Sequence, residues 1–261
     1  MKTNNKGKDR AKKVLEEIGF DEITELTNSQ LVTGFGIIFI AEPLDNADGK
    51  IIRGKSKTII KVNSSIPYPQ RIRYVVAHEL GHYFLHKKLE VHTENSRTLN
   101  WFNVENQARR GIQEYEANDF ASELLMPEKV FREFVKNKSF SPDLIRDISN
   151  RFLTSLTSVV YRLIALDVAP ILVVFMADGI VKYWRKSEDL KGWVRDITKL
   201  APPEDSVASE YIDADYDFIY KGNEKAQEID RSTWFNLYEN QPDSKFLEYC
   251  IPTRGSDLIA A

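Results

Sequence analysis

Cysteine is nearly absent. The single Cys250 in 261 residues excludes an internal disulfide and any zinc site built on thiolates. It has no nearby histidine to act as a base, so it reads as a strand residue rather than a nucleophile. Long apolar runs are also missing. No stretch approaches the roughly 18 apolar residues of a membrane span, and the basic start MKTNNKGKDRAKKV is not followed by the apolar core of a signal peptide. A cytoplasmic protein is therefore expected. Charge of one sign is lacking too: a net charge of −3 predicts neither wholesale nucleic-acid binding nor attraction to a membrane. There is no phosphate loop, no Ser/His/Asp arrangement, no internal repeat and no low-complexity tract. What remains, at 42% hydrophobic and 29% charged, is a globular chain long enough for two domains.

Within it, residues 71–86 read RIRYVVAHELGHYFLH and contain His78-Glu79-Leu80-Gly81-His82, a match to H-E-x-x-H. Pro67 and Pro69 stand where proline is tolerated at a helix start, and from Tyr74 to Leu85 the side chains are apolar nearly all the way round, which predicts a buried helix. On a helix, His78 and His82 stack four apart and aim two imidazoles at one point. Glu79 lies about 100° further round, in reach of a water on a metal there without being a ligand, which is the arrangement of a zinc hydrolase. The alternative is two core histidines and a buried glutamate satisfied by hydrogen bonds, but an unpaired buried carboxylate is costly and a metal removes that cost. His86 does not join the same ion. At about 1.5 Å per residue it sits roughly 12 Å from His78 along the axis. It is expected at the helix C-terminus, capping carbonyls or contacting substrate.

A third ligand is expected from residues 113–127, QEYEANDFASELLMP, a second helical stretch. Counting by three and four from Glu114 gives Ala117, Asn118, Ala121 and Leu125, a small and apolar face able to lie close against the first helix. Counting from Glu116 gives Asp119, Phe120 and Glu123, a face that reads as mostly solvated. Glu114 is thus the expected ligand, and Asn118 is placed to accept from a ligating imidazole. No oxyanion donor stands out, His86 and Tyr115 being the candidates. A two-His, one-carboxylate set suits zinc, with manganese or iron not excluded by ligand type.

VVAHELGHYFLH followed by EYEANDFASELLMP resembles the ImmA/IrrE metallopeptidases, whose pattern joins an HE-x-GH helix to an E-x-E-A-N-x-F-A-x-x-LLMP helix. The ending Leu124-Leu125-Met126-Pro127 makes the likeness specific, since metal chemistry does not require it. The resemblance implies zinc on His78, His82 and Glu114, with Glu79 as general base. It also implies a regulatory protease whose substrate is a helix-turn-helix repressor of transcription. The alternative is a non-proteolytic binding protein with a structural zinc that contacts a repressor or DNA; an enzyme latent until its C-terminal domain is engaged is a third.

Along the rest of the chain, residues 8–18 read as an amphipathic helix ending at Gly19, and 36–41, 50–53 and 58–63 as strands of a small antiparallel sheet with a hairpin turn at Ala47-Asp48-Gly49. An edge strand of that sheet is expected to hold substrate in extended form. Residues 89–103, with Trp101-Phe102, read as a lid or a plain connection. Helices follow at 128–135 and, in two pieces broken near 153–156, at 141–166. The second piece is poor in base-reading side chains, with Arg162 alone, so direct nucleic-acid binding is not expected. From Ala169 the pattern turns to strands, at 171–176, 180–185, 211–220, 232–238 and 245–251, with a hairpin turn at Ala177-Asp178-Gly179. The acid-rich stretch 204–217 reads as a solvated loop or as a dock for a basic partner. The expected architecture is α+β: a zincin-like metallopeptidase domain over 1–140, a bihelical helix-turn-helix-like segment over 141–168, and a β-rich C-terminal domain over 169–261 for regulation or substrate docking.

Overall fold

The computed structural model describes residues 5–87, 104–214, 226–252 and 258–260, and is a mixture of helices and small sheets. Cα packing divides the chain into two compact units, one of Met1–Lys136 with Ile148–Ser158 and one of Asn137–Asp147 with Val159–Ala261. Residues 141–147 and 159–168 fall in the second unit and 148–158 in the first. Among the described residues no helix is long and apolar enough to cross a membrane.

The first unit opens with α1 (Lys6–Ile18), which stops at Gly19 because that residue takes the left-handed conformation, φ +74°, that glycine adopts at no steric cost. After α2 (Asn28–Thr33), held by a reciprocal capping box between Thr27 and Gln30, come β1 (Ile38–Glu42), β2 (Gly49–Arg53) and β3 (Thr58–Asn63). The sheet is mixed, not antiparallel as its short strands suggested. Its order is β1-β3-β2, with β3 parallel to β1 and antiparallel to β2. The reason is that Ala47-Asp48-Gly49 does not close a hairpin. Residues 43–48 instead carry the chain across to the far side of β3, organised by the Asn63 amide, which donates to Leu44 O and Ala47 O and accepts from Leu44 N. The hairpin lies between β2 and β3, where Gly54 N donates to Lys57 O.

Of two long helices, one packs on this sheet and the second packs on the first. In α3 (Pro69–Leu85), Pro69 occupies the first turn and every residue from Val75 to His82 is buried, as an apolar surface on all sides requires. The buried cation Arg73 donates from its two terminal nitrogens to Leu26 O at 2.8 Å and Ile23 O at 2.5 Å. α4 (Val104–Leu125) breaks at Gly111, whose φ of +81° and ψ of 162° are not helical, so the segment bearing Glu114 runs on from that break. The solvated face expected from Glu116 is wrong: Glu116, Asp119, Phe120 and Glu123 are 3%, 3%, 0% and 1% exposed. That side packs on α1, and so closely that a Cβ on Gly7 would stand 2.2 Å from Glu116 O. α4 is therefore covered on two sides, by α1 and by α3. α5 (Glu128–Val135) follows Pro127 directly and buries Phe131 against Phe152. The lid stretch 89–103 and the side chains of Arg109 and Arg110 lie outside the described residues.

Next come α6 (Pro142–Phe152) and α7 (Leu156–Ala165), parted at Leu153, whose φ is +52°. Arg162, the lone base-reading candidate, is fully buried. In the second unit β4 (Leu172–Ala177) and β5 (Ile180–Lys186) pair antiparallel through Asp178 and Gly179, both at positive φ as a tight hairpin needs. Tyr161 of α7 stacks on Phe175 of β4, which stacks on Tyr183 of β5, and the Tyr161 and Tyr183 hydroxyls meet at 2.7 Å. Two short pairs form between β6 (Trp193–Val194) and β8 (Phe235–Asn236), and between β7 (Gln227–Asp230) and β9 (Lys245–Glu248). β10 (Cys250–Pro252) and β11 (Leu258–Ala260) extend the β4–β5 sheet. Two expected strands fail where they can be seen: Tyr211 belongs to α8 (Val207–Asp213), capped by Ser206, while residues 215–220 lie outside the described residues, and of 232–238 only Phe235–Asn236 is strand, following a 3-10 turn at Arg231–Thr233. Glu248 accepts from Val207 N, Ala208 N and Trp234 Nε1 at 3.0–3.2 Å, tying the start of α8 to β9.

Candidate metal centre

The close approach of α3 and α4 follows from their small residues. A Cβ on Gly81 would lie 2.9 Å from Ala117 Cα and 3.0 Å from Ala117 O, so only glycine permits the contact. That contact brings the two helices' functional side chains together. His78, His82 and Glu114 offer one ligand atom each, and these atoms lie within 4.8 Å of one another, a group able to hold a metal ion. His78 Nε2 is 2.9 Å from His82 Nε2 and 3.2 Å from Glu114 Oε2, and His82 Nε2 is 3.3 Å from Glu114 Oε1. Bonds of about 2.1 Å at tetrahedral angles put neighbouring ligand atoms roughly 3.4 Å apart, so this triangle needs little expansion to receive zinc. The histidines are buried and Glu114 is 12% exposed, so the trio meets solvent on the glutamate side.

Proton placement supports the same fit. Asn118 Oδ1 lies 2.8 Å from His78 Nδ1 and 2.7 Å from the Tyr74 hydroxyl. A carbonyl oxygen only accepts, so neutral His78 carries its proton on Nδ1 and directs the Nε2 lone pair at the trio. That is the tautomer a metal requires. Soft thiolates are absent from the group, while two imidazoles and a carboxylate suit zinc and manganese alike.

Glu79 is 2% exposed and passes against β2: a Cβ on Gly49 would stand 2.8 Å from Glu79 Oε1 and 2.4 Å from Val75 Cγ1. Tyr115 is half-buried, and burial together with Asp119 holds its phenol above the ordinary range, leaving the hydroxyl a donor. His86 is the C-cap residue of α3, as expected, its backbone N–H donating to His82 O at 3.0 Å, and it is 5% exposed. Its Nδ1 is 3.0 Å from His82 Nδ1 and its Nε2 is 3.0 Å from Glu116 Oε2, which leaves neither nitrogen for a substrate. Burial holds its imidazole below the usual range, with Glu116 pulling the other way. The side chain of Arg53 on β2 adds to that cap, its Nη2 donating to His82 O, Tyr83 O and His86 O at 2.8–3.0 Å. Arg53, Gly49 and Glu116 were not found from sequence. Only the i, i+4 spacing of His82 and His86 hinted at the last of these contacts.

Comparison with known proteins places the chain in a family. Residues 32–163 match the model of the peptidase family described as the IrrE N-terminal-like domain, a span that reaches from α2 into α7 and leaves out the β-rich part. Metallopeptidase ImmA of Bacillus subtilis is 30% identical over 130 residues, covering 48% of this chain and 66% of that one. Uncharacterized immunity region protein 2 of Bacillus phage phi105 is 37% identical over 89 residues, covering 34% of this chain and 50% of that one. These matches thus span about two thirds and one half of the curated relatives. A Mycobacterium tuberculosis transcriptional regulator has a similar fold, with a TM-score of 0.52 at 13% identity over 97% of this chain and 74% of that one. On the family match over about half its length, with the helix pair that carries the motif inside it, this chain belongs to the ImmA/IrrE family of metallopeptidases.

Proposed function

We propose that the protein is a zinc-dependent endopeptidase of the cytoplasm whose substrate is a DNA-binding repressor protein. The observation that carries this reading is the convergence of His78, His82 and Glu114 from two helices onto one point, beside the buried carboxylate of Glu79. A zinc ion held by those three residues supplies Lewis acidity towards a peptide carbonyl and makes water acidic near neutral pH. Glu79 takes the proton of the attacking water on its carboxylate and delivers it to the departing amine. Asn118 fixes the His78 ring. β2, an outer strand of the described sheet whose Gly49 touches Glu79, lies where an extended peptide would run beside it. The 1–140 region would then be the peptidase, and 169–261 the part that receives the substrate or a regulator.

The choice of a repressor as substrate follows the relatives, one named a metallopeptidase and another an immunity region protein. The test is co-production of wild type and Glu79→Gln with repressors encoded beside the gene. A fragment made by the wild type alone supports the reading. Equal fragments from both forms, or none from any tested repressor while zinc is bound, would point to a structural metal.

A further inference from the structure

The two imidazoles of the trio are held by different outer partners. His78 meets a neutral amide, Asn118, whereas His82 is joined through His86 to the carboxylate of Glu116. Glu116 is 3% exposed and forms an ion pair with Lys6, whose Nζ donates to the same oxygen at 2.7 Å. An ionised carboxylate only accepts, so His86 Nε2 donates to it. With its proton there, neutral His86 presents a lone pair at Nδ1, and the 3.0 Å contact requires His82 to donate from Nδ1. His82 Nε2 is then bare and faces Glu114 and His78.

We propose that His86 and Glu116 are positioning residues which, in a relay from Lys6 through Glu116 and His86, fix the His82 ring in its metal-binding tautomer. The relay itself follows from hydrogen bonds alone. Its consequence for the metal rests on the reading of the previous subsection. It also divides the labour of the E-x-E pair: Glu114 faces the trio directly and Glu116 reaches it through one imidazole. A carboxylate at the end of such a chain makes the ligating nitrogen more basic as well as oriented, and loss of an outer partner of this kind weakens metal binding by about 10–100-fold.

The test combines two measurements on the full chain. Long-range proton–nitrogen NMR of the metal-free protein, well above the imidazole titration range, should show His82 protonated on Nδ1. A wild-type His82 protonated on Nε2 overturns the relay whether or not zinc binds. Zinc competition against a chromophoric chelator should then show affinity about 10–100-fold weaker in His86→Leu. It should be largely restored in His86→Asn, whose side-chain oxygen can occupy the accepting position, and intermediate in Glu116→Gln. Unchanged affinity in His86→Leu overturns the positioning role. Should that variant not fold, unchanged affinity in Glu116→Gln does so. A wild type that takes up no zinc defeats the peptidase reading instead, and the NMR result still decides the relay.

Discussion

At the scale of single residues, Glu79 and Gly49 are one chemical unit, because the glycine's missing side chain is the space the carboxylate occupies. Glu79→Gln keeps the shape and removes the base, so zinc should bind as in wild type while the cleavage rate falls by about 10²–10⁴-fold. His78→Ala should lose zinc and cleavage together. Gly49→Ala is the subtler probe. Its Cβ would displace the carboxylate from 2.8 Å, and misplacement of a catalytic group by about 1 Å can cost on the order of 10²-fold in rate. Steady-state kinetics with zinc content measured alongside should show kcat reduced and metal retained. Full activity in Gly49→Ala would mean that Glu79 does not act from where it lies. The histidine pair and Glu114 were readable from spacing and from the face each residue occupies. Gly49 was not, since nothing in a strand's alternation says which helical side chain will rest on it.

Among the elements, the decisive contact is α3 on α4. Gly81→Ala must push Ala117 away by several tenths of an ångström, and overpacking of this kind costs about 1–3 kcal/mol. Denaturant unfolding of the zinc-free protein should show that loss, and zinc affinity should fall with it because the imidazoles and Glu114 sit on opposite sides of the contact. Unchanged stability and affinity would show that the helices do not depend on their closest approach. The helices were legible for a physical reason: apolar periodicity, Pro69, Gly19 and the Met126-Pro127 stop are local signals, and they mark α1, α3, α5 and the break between α6 and α7 well. Partners are not local. β3 pairs with β1 in parallel because Asn63 gathers the intervening turn, and Glu116 is buried because α1 returns to cover α4. A carboxylate-rich helix face reads as solvated until the element that covers it is known. The same limit hid α8, whose short run at Tyr211 carries aromatic and β-branched residues suited equally to a strand.

For the whole molecule, the division into two units assigns separate reporters to each. Cys250 belongs to the second unit and is 0% exposed, and burial pushes its thiol well above the ordinary range. A neutral, covered thiol is a poor nucleophile, so Ellman's reagent should leave the native protein unmodified and react with one thiol per chain in guanidinium chloride. Rapid labelling under native conditions would show that the β10 region opens readily. For the first unit the direct reporter is the metal itself. A crystal soaked in zinc and measured at the zinc absorption edge should give one anomalous peak bonded at about 2.0–2.2 Å to His78 Nε2, His82 Nε2 and a Glu114 oxygen, with its fourth position taken by solvent. A peak with Glu114 turned away from the imidazoles, or with a fourth protein side chain closing the solvent position, would contradict the peptidase reading.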